Sequence, residues 1–410
     1  MVAVKALKNT DVFKPIKVGK HELSNRIVYA PTTRKRALPD HTPSDLQYKY
    51  YDDRTKFPGS LVITEATILS PKTGLYENVP GIYTESHVAA WKKITDKIHA
   101  NKSRVSMQLW PLGRVADPVA TKKAGYPLIA PTASYESEES RKAAEAAGNP
   151  VHELTTSEVE DLVDDFVNAA KNAVAAGVDY VEVHGAHGYL VDTFFQVSAN
   201  SRTDKYGGSI ENRSRFALEI IDRLIEEIGA DRVAIRISPW VKFQGILAEE
   251  GEVNPVAQFG HFLSELENRA RAGKRIAYVS IVEPRFGNGG DVPTPEDMYG
   301  DNSFAKSVWK GIVIKAGNYT YDAPQFNALV EDVSDGKTLV AFARYFTSNP
   351  DLVQRLHDGT DLTPYNRALF YNNSNWGYNT FNSAGEATVF DEEKEQKRLP
   401  APIDVTKAQL

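Results

Sequence analysis

Three side chains that can donate or transfer protons lie close together in the middle of the chain, at His184, His187 and Tyr189. They follow directly on residues 180–183, an apolar and β-branched run that is typical of a strand. In barrels built from alternating strands and helices, catalytic side chains stand at the carboxyl ends of the strands. Two imidazoles and a phenol at such a position could polarise a carbonyl oxygen and supply a proton, which is general acid chemistry.

The spacing of His184 and His187 is also compatible with a metal site. A zinc site needs further ligands, and no third histidine or acidic residue follows nearby at helical spacing. We therefore expect no bound metal. For either histidine alone, a structural role with satisfied hydrogen bonds is the commoner alternative.

The composition excludes several classes of protein. The chain has 410 residues, of which 25% are charged, and its formal net charge of -6 comes without a basic run, so nucleic acid is not an expected partner. The sequence contains no cysteine, which excludes disulfides, thiolate nucleophiles and iron–sulfur clusters. The first residues lack the apolar segment of a signal peptide, and no apolar run approaches the ~20 residues of a membrane span. We therefore expect a cytoplasmic protein with no membrane partner.

Short β-branched runs and amphipathic stretches alternate along the chain. We predict strands over residues 26–33, 60–68, 104–110, 180–186, 233–238, 276–283, 311–317 and 338–345. We predict helices over residues 44–53, 86–100, 156–176, 213–228, 255–272, 303–309, 323–333 and 350–358. Such alternation implies parallel strands, and eight units of this kind close a (β/α)8 TIM barrel.

The rival architecture is an open, doubly wound sheet. It usually carries a Gly-x-Gly-x-x-Gly turn after an early strand, and none is present here. We therefore predict one α/β TIM-barrel domain over residues 1–410. It should carry an N-terminal hairpin beginning near residues 13–19, long connections at 111–154, 241–254 and 284–302, and a polar C-terminal tail at 372–410 that wraps the outside.

Alternation along three strands sends polar side chains into the barrel. The apolar positions of residues 105–109, 181–183 and 233–237 must face the helices, so Gln108, His184 and Arg236 point inward. A buried charge is costly unless it is paired or bound to a ligand. Arg236 either pairs with Glu182 inside the barrel or lines a cofactor site together with Gln108.

The last two predicted strands end in residues that suit an anion. In such barrels, phosphate sites form from the loops after strands seven and eight together with a helix N-terminus. Gly317 lets the backbone approach a ligand, Arg344 supplies a bidentate cation, and residues 348–350 are predicted to open a capped helix. An ordinary capped helix with a surface arginine explains the same pattern nearly as well.

Six stretches together resemble the Old Yellow Enzyme family of FMN-dependent ene-reductases, and they look closest to its yeast members. They are residues 30–34 (APTTR), 63–66 (ITEA), 108–110 (QLW), 184–190 (HGAHGYL), 202–213 (RTDKYGGSIENR) and 344–352 (RYFTSNPDL). The similarity runs from about Phe13 to Tyr378, and the stretch 202–213 is its most specific part.

The resemblance implies a bound FMN. Thr33 is expected to hydrogen-bond the flavin carbonyl beside the reactive nitrogen. Gln108 and Arg236 are expected to hold the pyrimidine end, where Arg236 offsets the negative charge that develops on reduction. The other expected contacts to the ring system and the phosphate come from Pro31, Thr32, Ala66, Gly317, Asn318, Ala343 and Arg344.

The resemblance also implies an activity, in which NADPH reduces the flavin and leaves. An enone or enal then occupies the same place and receives a hydride at its β-carbon, and phenolic ligands are expected to bind there too. His184 and His187 are expected to hydrogen-bond the substrate's carbonyl oxygen, and Tyr189 to protonate its α-carbon. The mouth of the pocket is expected to be shaped by Trp110, Phe243 and Tyr371. The protein is expected to be a monomer or a homodimer.

Some positions depart from the family pattern. His187 stands where several yeast relatives have Asn, and because imidazole titrates near neutral pH the pH dependence is expected to differ. Ala66 and Ala343 replace glycines that some members have. The loop 286–291 is unusually rich in glycine, so the family's lid residues are not carried over to it.

Two other functions stay open at this point. One is a Schiff-base aldolase that uses Lys315, near the end of the seventh predicted strand. The other is a non-catalytic or redox-sensing flavin-binding protein. The motifs weigh heavily against the first alternative and say little against the second.

Overall fold

The computed structural model describes residues 1–286 and 300–404, so the Gly-rich loop lies outside the described residues from position 287 onward. The strands are β1 (Ile16–Val18), β2 (His21–Leu23), β3 (Ile27–Tyr29), β4 (Leu61–Ile63), β5 (Thr67–Ile68), β6 (Arg104–Trp110), β7 (Leu128–Ala130), β8 (Val151–Glu153), β9 (Tyr180–Gly185), β10 (Val233–Ile237), β11 (Tyr278–Val282), β12 (Val313–Ala316) and β13 (Thr338–Phe342). Parallel pairing runs β3-β4-β6-β9-β10-β11-β12-β13 and returns from β13 to β3. This closed ring of eight strands confirms the predicted TIM barrel.

Helices surround the barrel. They are α1 (Asp45–Arg54), α2 (Glu85–Ala100), α3 (Pro118–Lys123), α4 (Glu138–Ala146), α5 (Thr156–Ala175), α6 (Leu190–Phe195), α7 (Ile210–Ile228), α8 (Pro255–Arg271), α9 (Ser303–Val308), α10 (Asn327–Val333), α11 (Arg344–Ser348), α12 (Leu352–Asp358) and α13 (Glu392–Lys397). Within the described ranges, no helix is long and apolar enough to cross a membrane.

Two apolar layers lie on the two faces of the barrel wall. The outward positions of β6, β9 and β10 pack against the helices, and they include Met107, Val183 and Ile235. The inner layer also takes in Val18 and Leu23 from the β1–β2 hairpin, which therefore closes the amino-terminal end of the barrel. The polar side chains that point inward from the same strands therefore lie at the opposite, carboxyl-terminal end of the barrel.

One predicted strand is split in two. The run 60–68 forms β4 and β5, because the backbone amide of Glu65 between them donates to a side chain rather than to a neighbouring strand. The amide of Glu65 donates to the Tyr51 hydroxyl at 2.8 Å. Its carboxylate accepts from the Gln47 amide at 2.7 Å. These partners lie on α1, so strand propensity alone does not reveal the break.

Two predicted helices begin later than the sequence pattern indicates. The helix expected from residue 350 is α12, which begins at Leu352, because the side chains of Ser348 and Asn349 bind the Thr363 carbonyl at 2.8 Å instead of capping it. The chain before it forms the separate short helix α11. The helix expected from residue 323 is α10, and Phe326 before it has a left-handed φ of 53°.

Part of the C-terminal segment lies inside the protein rather than wrapping its outside. Tyr378 is fully buried and stacks on Tyr50, with ring centroids 4.1 Å apart. The buried guanidinium of Arg36 donates to the carbonyls of Phe370 at 2.6 Å and Ser374 at 2.9 Å. Arg34 donates to the Phe370 carbonyl as well, at 3.0 Å. The two arginines thus tie the segment after residue 369 to the loop that follows β3.

We expect Arg36→Met to destabilise the protein and to loosen this segment. Several buried carbonyls would lose their donor, and an unsatisfied buried group costs about 1–3 kcal/mol. Chemical denaturation followed by fluorescence should therefore show a loss of about 3 kcal/mol in the free energy of unfolding. Limited proteolysis should show faster cleavage after residue 369.

Arg223→Met is the matched control. Its guanidinium is 44% exposed and pairs with Asp164 at 3.0 Å on the surface. Exposed ion pairs contribute about 0–1 kcal/mol, so this variant should unfold almost like the wild type. Equal losses in the two variants would contradict the role assigned to Arg36.

Candidate active site

A cavity of about 670 Å³ opens at the carboxyl-terminal end of the barrel strands. This volume lies in the range of ordinary small-molecule and cofactor sites. Every residue that the family resemblance implied for catalysis, cofactor binding or the pocket mouth lines this cavity: Pro31, Thr32, Thr33, Ala66, Gln108, Trp110, His184, His187, Tyr189, Arg236, Phe243, Gly317, Asn318, Ala343, Arg344 and Tyr371. Residues from strands far apart in the chain therefore meet in one place.

The cavity has further lining residues that the sequence analysis did not name. They are Ala30, Ala316, Tyr319, Thr320, Tyr321, Ala341, Phe342, Tyr345, Tyr365, Arg367 and Phe370. Most of these are chain neighbours of predicted residues. Tyr365, Arg367 and Phe370 follow α12, in a segment that neither periodicity nor a motif marks in the sequence.

A layer of buried polar side chains forms the floor of the cavity. The amide of Gln108 donates to the Glu182 carboxylate at 2.7 Å, so Glu182 takes its hydrogen bond from Gln108 and not from Arg236. Three buried polar atoms of this layer, Gln108 Oε1, Glu182 Oε2 and Arg236 Nε, have no hydrogen-bond partner in the described part of the protein. Unsatisfied buried groups of this kind call for a ligand with both donors and acceptors.

The loop after β9 holds His187 by a strained backbone, while His184 belongs to β9 itself. His187 has a φ of 59° and Gly188 a φ of 76°, both in the left-handed region. The Ser238 hydroxyl accepts from the His187 amide, and the Asp192 carboxylate accepts from the Gly188 amide, each at 2.8 Å. These two bonds fix a conformation that a free loop would rarely adopt.

The imidazoles and the phenol lie close to one another. The ring centroids of His184 and His187 are 5.8 Å apart, and those of His184 and Tyr189 are 4.8 Å apart. Trp110 packs edge-on against Tyr189 with its centroid 5.1 Å away. All three polar rings therefore border the same small volume.

Burial sets the protonation of these rings. Removal from water, followed by the charge of Arg236, lowers the pKa of both His184 and His187 well below the usual histidine range. The sequence-based expectation that His187 titrates near neutral pH is therefore not supported, because the fold buries the ring beside a cation. Burial also raises the pKa of Tyr189 to about 12, so the phenol keeps its proton at neutral pH.

The other end of the cavity exposes backbone and a cation. Gly317 has a φ of 151°, and a Cβ placed there would lie 2.8 Å from Glu283 Cβ. Asn318, the next residue, has a left-handed φ of 45°. Ala343 and Arg344 open the short helix α11, so they take the place that the sequence analysis gave to residues 348–350. This end suits a phosphate group, with peptide N–H groups and one guanidinium.

Lys315 does not line the cavity. Its ammonium group lies 2.8 Å from Asp332 and 3.2 Å from Glu283, between the barrel wall and α10. Because this amine is bound to two carboxylates outside the cavity, it is not placed to attack a substrate carbonyl there. The Schiff-base alternative is therefore discarded.

The residues present fit FMN. A flavin's pyrimidine edge offers the donor and acceptors that Gln108 Oε1 and Arg236 require, and the glycine and arginine end accommodates a phosphate. Nothing in the described part of the chain groups three or more histidines and carboxylates as a metal site. The fold and the site thus define a flavin-dependent oxidoreductase built on a TIM barrel.

The comparisons with known proteins give the family. Residues 11–363 match the model of the NADH:flavin oxidoreductase / NADH oxidase family, and the chain belongs to it. The chain is 51% identical to the Old Yellow Enzyme from Pichia sp. AKU4542, whose crystal structure superposes with a TM-score of 0.91 over 97% of this chain and 100% of that chain. The predicted resemblance and the FMN cofactor are thereby confirmed.

Two curated relatives match this chain over nearly its whole length. A probable NADPH dehydrogenase from Candida albicans is 48% identical over 391 residues, which cover 95% of each chain. An enoate reductase 1 from Kluyveromyces lactis is 43% identical over 391 residues, covering 94% of this chain and 97% of the relative. The protein is accordingly an FMN-dependent oxidoreductase of the Old Yellow Enzyme type.

We expect Gly317→Ala to weaken FMN retention. The added methyl group meets Glu283 at 2.8 Å in a backbone conformation that disfavours alanine. Relief of about 1–3 kcal/mol of strain by a shift away from the phosphate-binding geometry corresponds to a roughly 5- to 150-fold loss of affinity. The measurement is the fraction of flavin that remains bound after dilution and filtration, read from the absorbance near the flavin maximum.

Gly260→Ala serves as the control substitution, because a Cβ at this position in α8 meets no atom of the described residues within 4 Å. This variant should keep its flavin. Retention of flavin by Gly317→Ala at the wild-type level would show that this backbone does not hold the phosphate end.

Proposed function

We propose that the protein is an ene-reductase that uses NADPH to reduce the carbon–carbon double bond of α,β-unsaturated carbonyl compounds. The observation that carries the proposal is the convergence of two uncharged imidazoles and a protonated phenol on a flavin-sized cavity. The names of the relatives, an NADPH dehydrogenase and an enoate reductase, support the same chemistry.

FMN, when bound, supplies the hydride chemistry that links a nicotinamide to an activated alkene. The chain supplies orientation and protons. The N–H groups of His184 and His187 donate to the carbonyl oxygen of the substrate, where negative charge develops as the double bond is reduced. Both rings are buried, His184 on strand β9 and His187 in the strained loop, so little reorganisation is needed when this charge appears.

Tyr189 Oη delivers a proton to the α-carbon. The pKa of about 12 keeps this phenol protonated between turnovers, and its edge contact with Trp110 keeps the ring beside the imidazoles. Donation from a neutral phenol is general acid catalysis. The pyrimidine end is held by Gln108 and Arg236, and the phosphate end by Gly317, Asn318, Ala343 and Arg344.

A visible absorption titration of the purified protein tests the proposal. A yellow protein should lose its colour when NADPH is added without oxygen, and cyclohexenone should restore the colour. In D2O the saturated product should carry deuterium at the α-carbon, because that proton comes from an exchangeable group. Reduction by NADPH with no turnover of any enone or enal would instead favour a non-catalytic flavoprotein.

We expect Tyr189→Phe to slow only the alkene reaction. Reduction by NADPH should proceed at the wild-type rate, because no proton donor to carbon is needed there. The enone reaction should be slower by roughly 10²–10⁴-fold, the usual contribution of a positioned acid. Stopped-flow absorbance measures flavin reduction by NADPH and flavin oxidation by the enone separately.

Tyr48→Phe is a suitable control, since it removes a tyrosine hydroxyl from α1, outside the cavity lining. Both of its half-reactions should match those of the wild type. If Tyr189→Phe reduces enones as fast as the wild type, another group donates the proton.

We expect the dissociation constant of cyclohexenone from the oxidised enzyme to stay level between pH 6 and pH 8. Burial lowers the pKa of both imidazoles, so each remains neutral as the pH falls through the usual histidine range, and a change is expected only at lower pH. Spectral titration of the flavin band at a series of pH values measures this constant. A step centred near pH 6.5 would mean that a histidine with an ordinary pKa faces the substrate.

A further inference from the structure

A carboxylate lies beneath the cavity without lining it. Glu182 belongs to β9, is fully buried, and stands opposite Gln108 of β6 in the parallel register. On the other side of β9, Arg236 of β10 is paired with His184, which is the next inward-facing residue of β9 after Glu182. Tyr278 of β11 reaches the same layer and is hydrogen-bonded to Ser106 at 2.7 Å. Glu182 is therefore enclosed by side chains from three neighbouring strands.

This carboxylate determines which atom Gln108 turns toward the cavity. Burial raises the pKa of Glu182 to about 7. Above that pH the carboxylate is ionised and can only accept hydrogen bonds, so Gln108 offers its NH2 group at 2.7 Å. The amide oxygen is then left without a partner while the residue lines the cavity. With an amide or an apolar side chain at position 182, this preference for one amide orientation would disappear.

The same carboxylate sets the charge of the layer. Arg236 is a buried cation, and the negative charge of Glu182 is the main attraction that acts on it. With Glu182 ionised, the pair is nearly neutral, and without it the layer carries an uncompensated positive charge. A carboxylate next to a group that gains negative charge disfavours that gain.

We propose that Glu182 is a positioning residue for the flavin reaction: it turns the Gln108 amide oxygen toward the cofactor and, by offsetting Arg236, holds the reduction potential of the bound FMN down. The inference rests on the proposed function for the placement of the flavin's pyrimidine end at Gln108 and Arg236. A lower potential makes the reduced enzyme a stronger hydride donor to an alkene and a slower acceptor from NADPH.

The experiment is the midpoint potential of the FMN in the holoenzyme, measured against dyes of known potential at pH 8. Glu182→Gln should favour the reduced over the oxidised flavin by about tenfold, which is an upward shift of about 30 mV for two electrons. Its reduction by NADPH should become faster, and its oxidation by cyclohexenone slower. A merely structural defect would slow both half-reactions.

Two further variants isolate the cause. Glu182→Asp keeps the charge and should stay within about threefold of the wild-type ratio of reduced to oxidised flavin. Glu283→Gln removes another buried glutamate, one that pairs with Lys315 at 3.2 Å outside the cavity, and should leave the potential unchanged. If Glu182→Gln does not fold, Glu182→Asp decides alone, because an upward shift of tenfold in that variant overturns the proposal.

A double-mutant cycle tests the part played by Gln108. In the Gln108→Leu background, Glu182→Gln should shift the ratio of reduced to oxidised flavin by clearly less than tenfold. The reason is that the leucine side chain of this variant has no amide group for Glu182 to orient. A shift of less than twofold on Glu182→Gln in the wild-type background, or a downward shift, overturns the inference. These potentials require neither NADPH nor an enone, so a failure to reduce enones would count against the proposed function and leave this inference to be judged on its own.

Discussion

Burial of polar groups at one end of a closed barrel is the constraint on which the rest of this structure depends. The β1–β2 hairpin and the inner apolar layer cover the amino-terminal end of the barrel, so the buried side chains of Gln108, Glu182 and Arg236 must satisfy one another or a ligand in the cavity. They do so only in part, and the atoms left over match a flavin edge. Cofactor binding thus completes a hydrogen-bond network that the folded chain leaves open.

The loop after β9, which carries His187, is also shaped by the burial of polar groups. Its backbone turns through two left-handed residues, and the bonds from Ser238 and Asp192 hold that turn. The turn places His187 beside His184 of β9, so two uncharged rings lie next to a tyrosine that retains its proton. Burial, which removes charge from the imidazoles and keeps the phenol protonated, therefore provides donors in the form that carbonyl recognition needs.

The cavity wall also depends on cations that are buried far from any surface. Arg34 and Arg36 donate to backbone carbonyls of the C-terminal segment, and Arg54 donates to the carbonyls of Phe346 and Thr347. Their charges are met by peptide oxygens and tyrosine rings more than by carboxylates. As a result, the segment that carries Phe370 and Tyr371 is tied to the strand loop that carries Thr33.

The sequence by itself was sufficient to predict the eight strands and most of the helices, because periodicity and caps depend on near neighbours in the chain. Its resemblance to a known family supplied many of the residues that line the cavity, but not Tyr365, Arg367 or Phe370. Only the tertiary structure decided the break at Glu65, the later start of α12 and the burial of Tyr378. It also decided the charge of the imidazoles, since a pKa depends on how deeply a ring is buried and on which cation lies beside it. Each of these features rests on contacts between residues distant in the chain, which local patterns do not record.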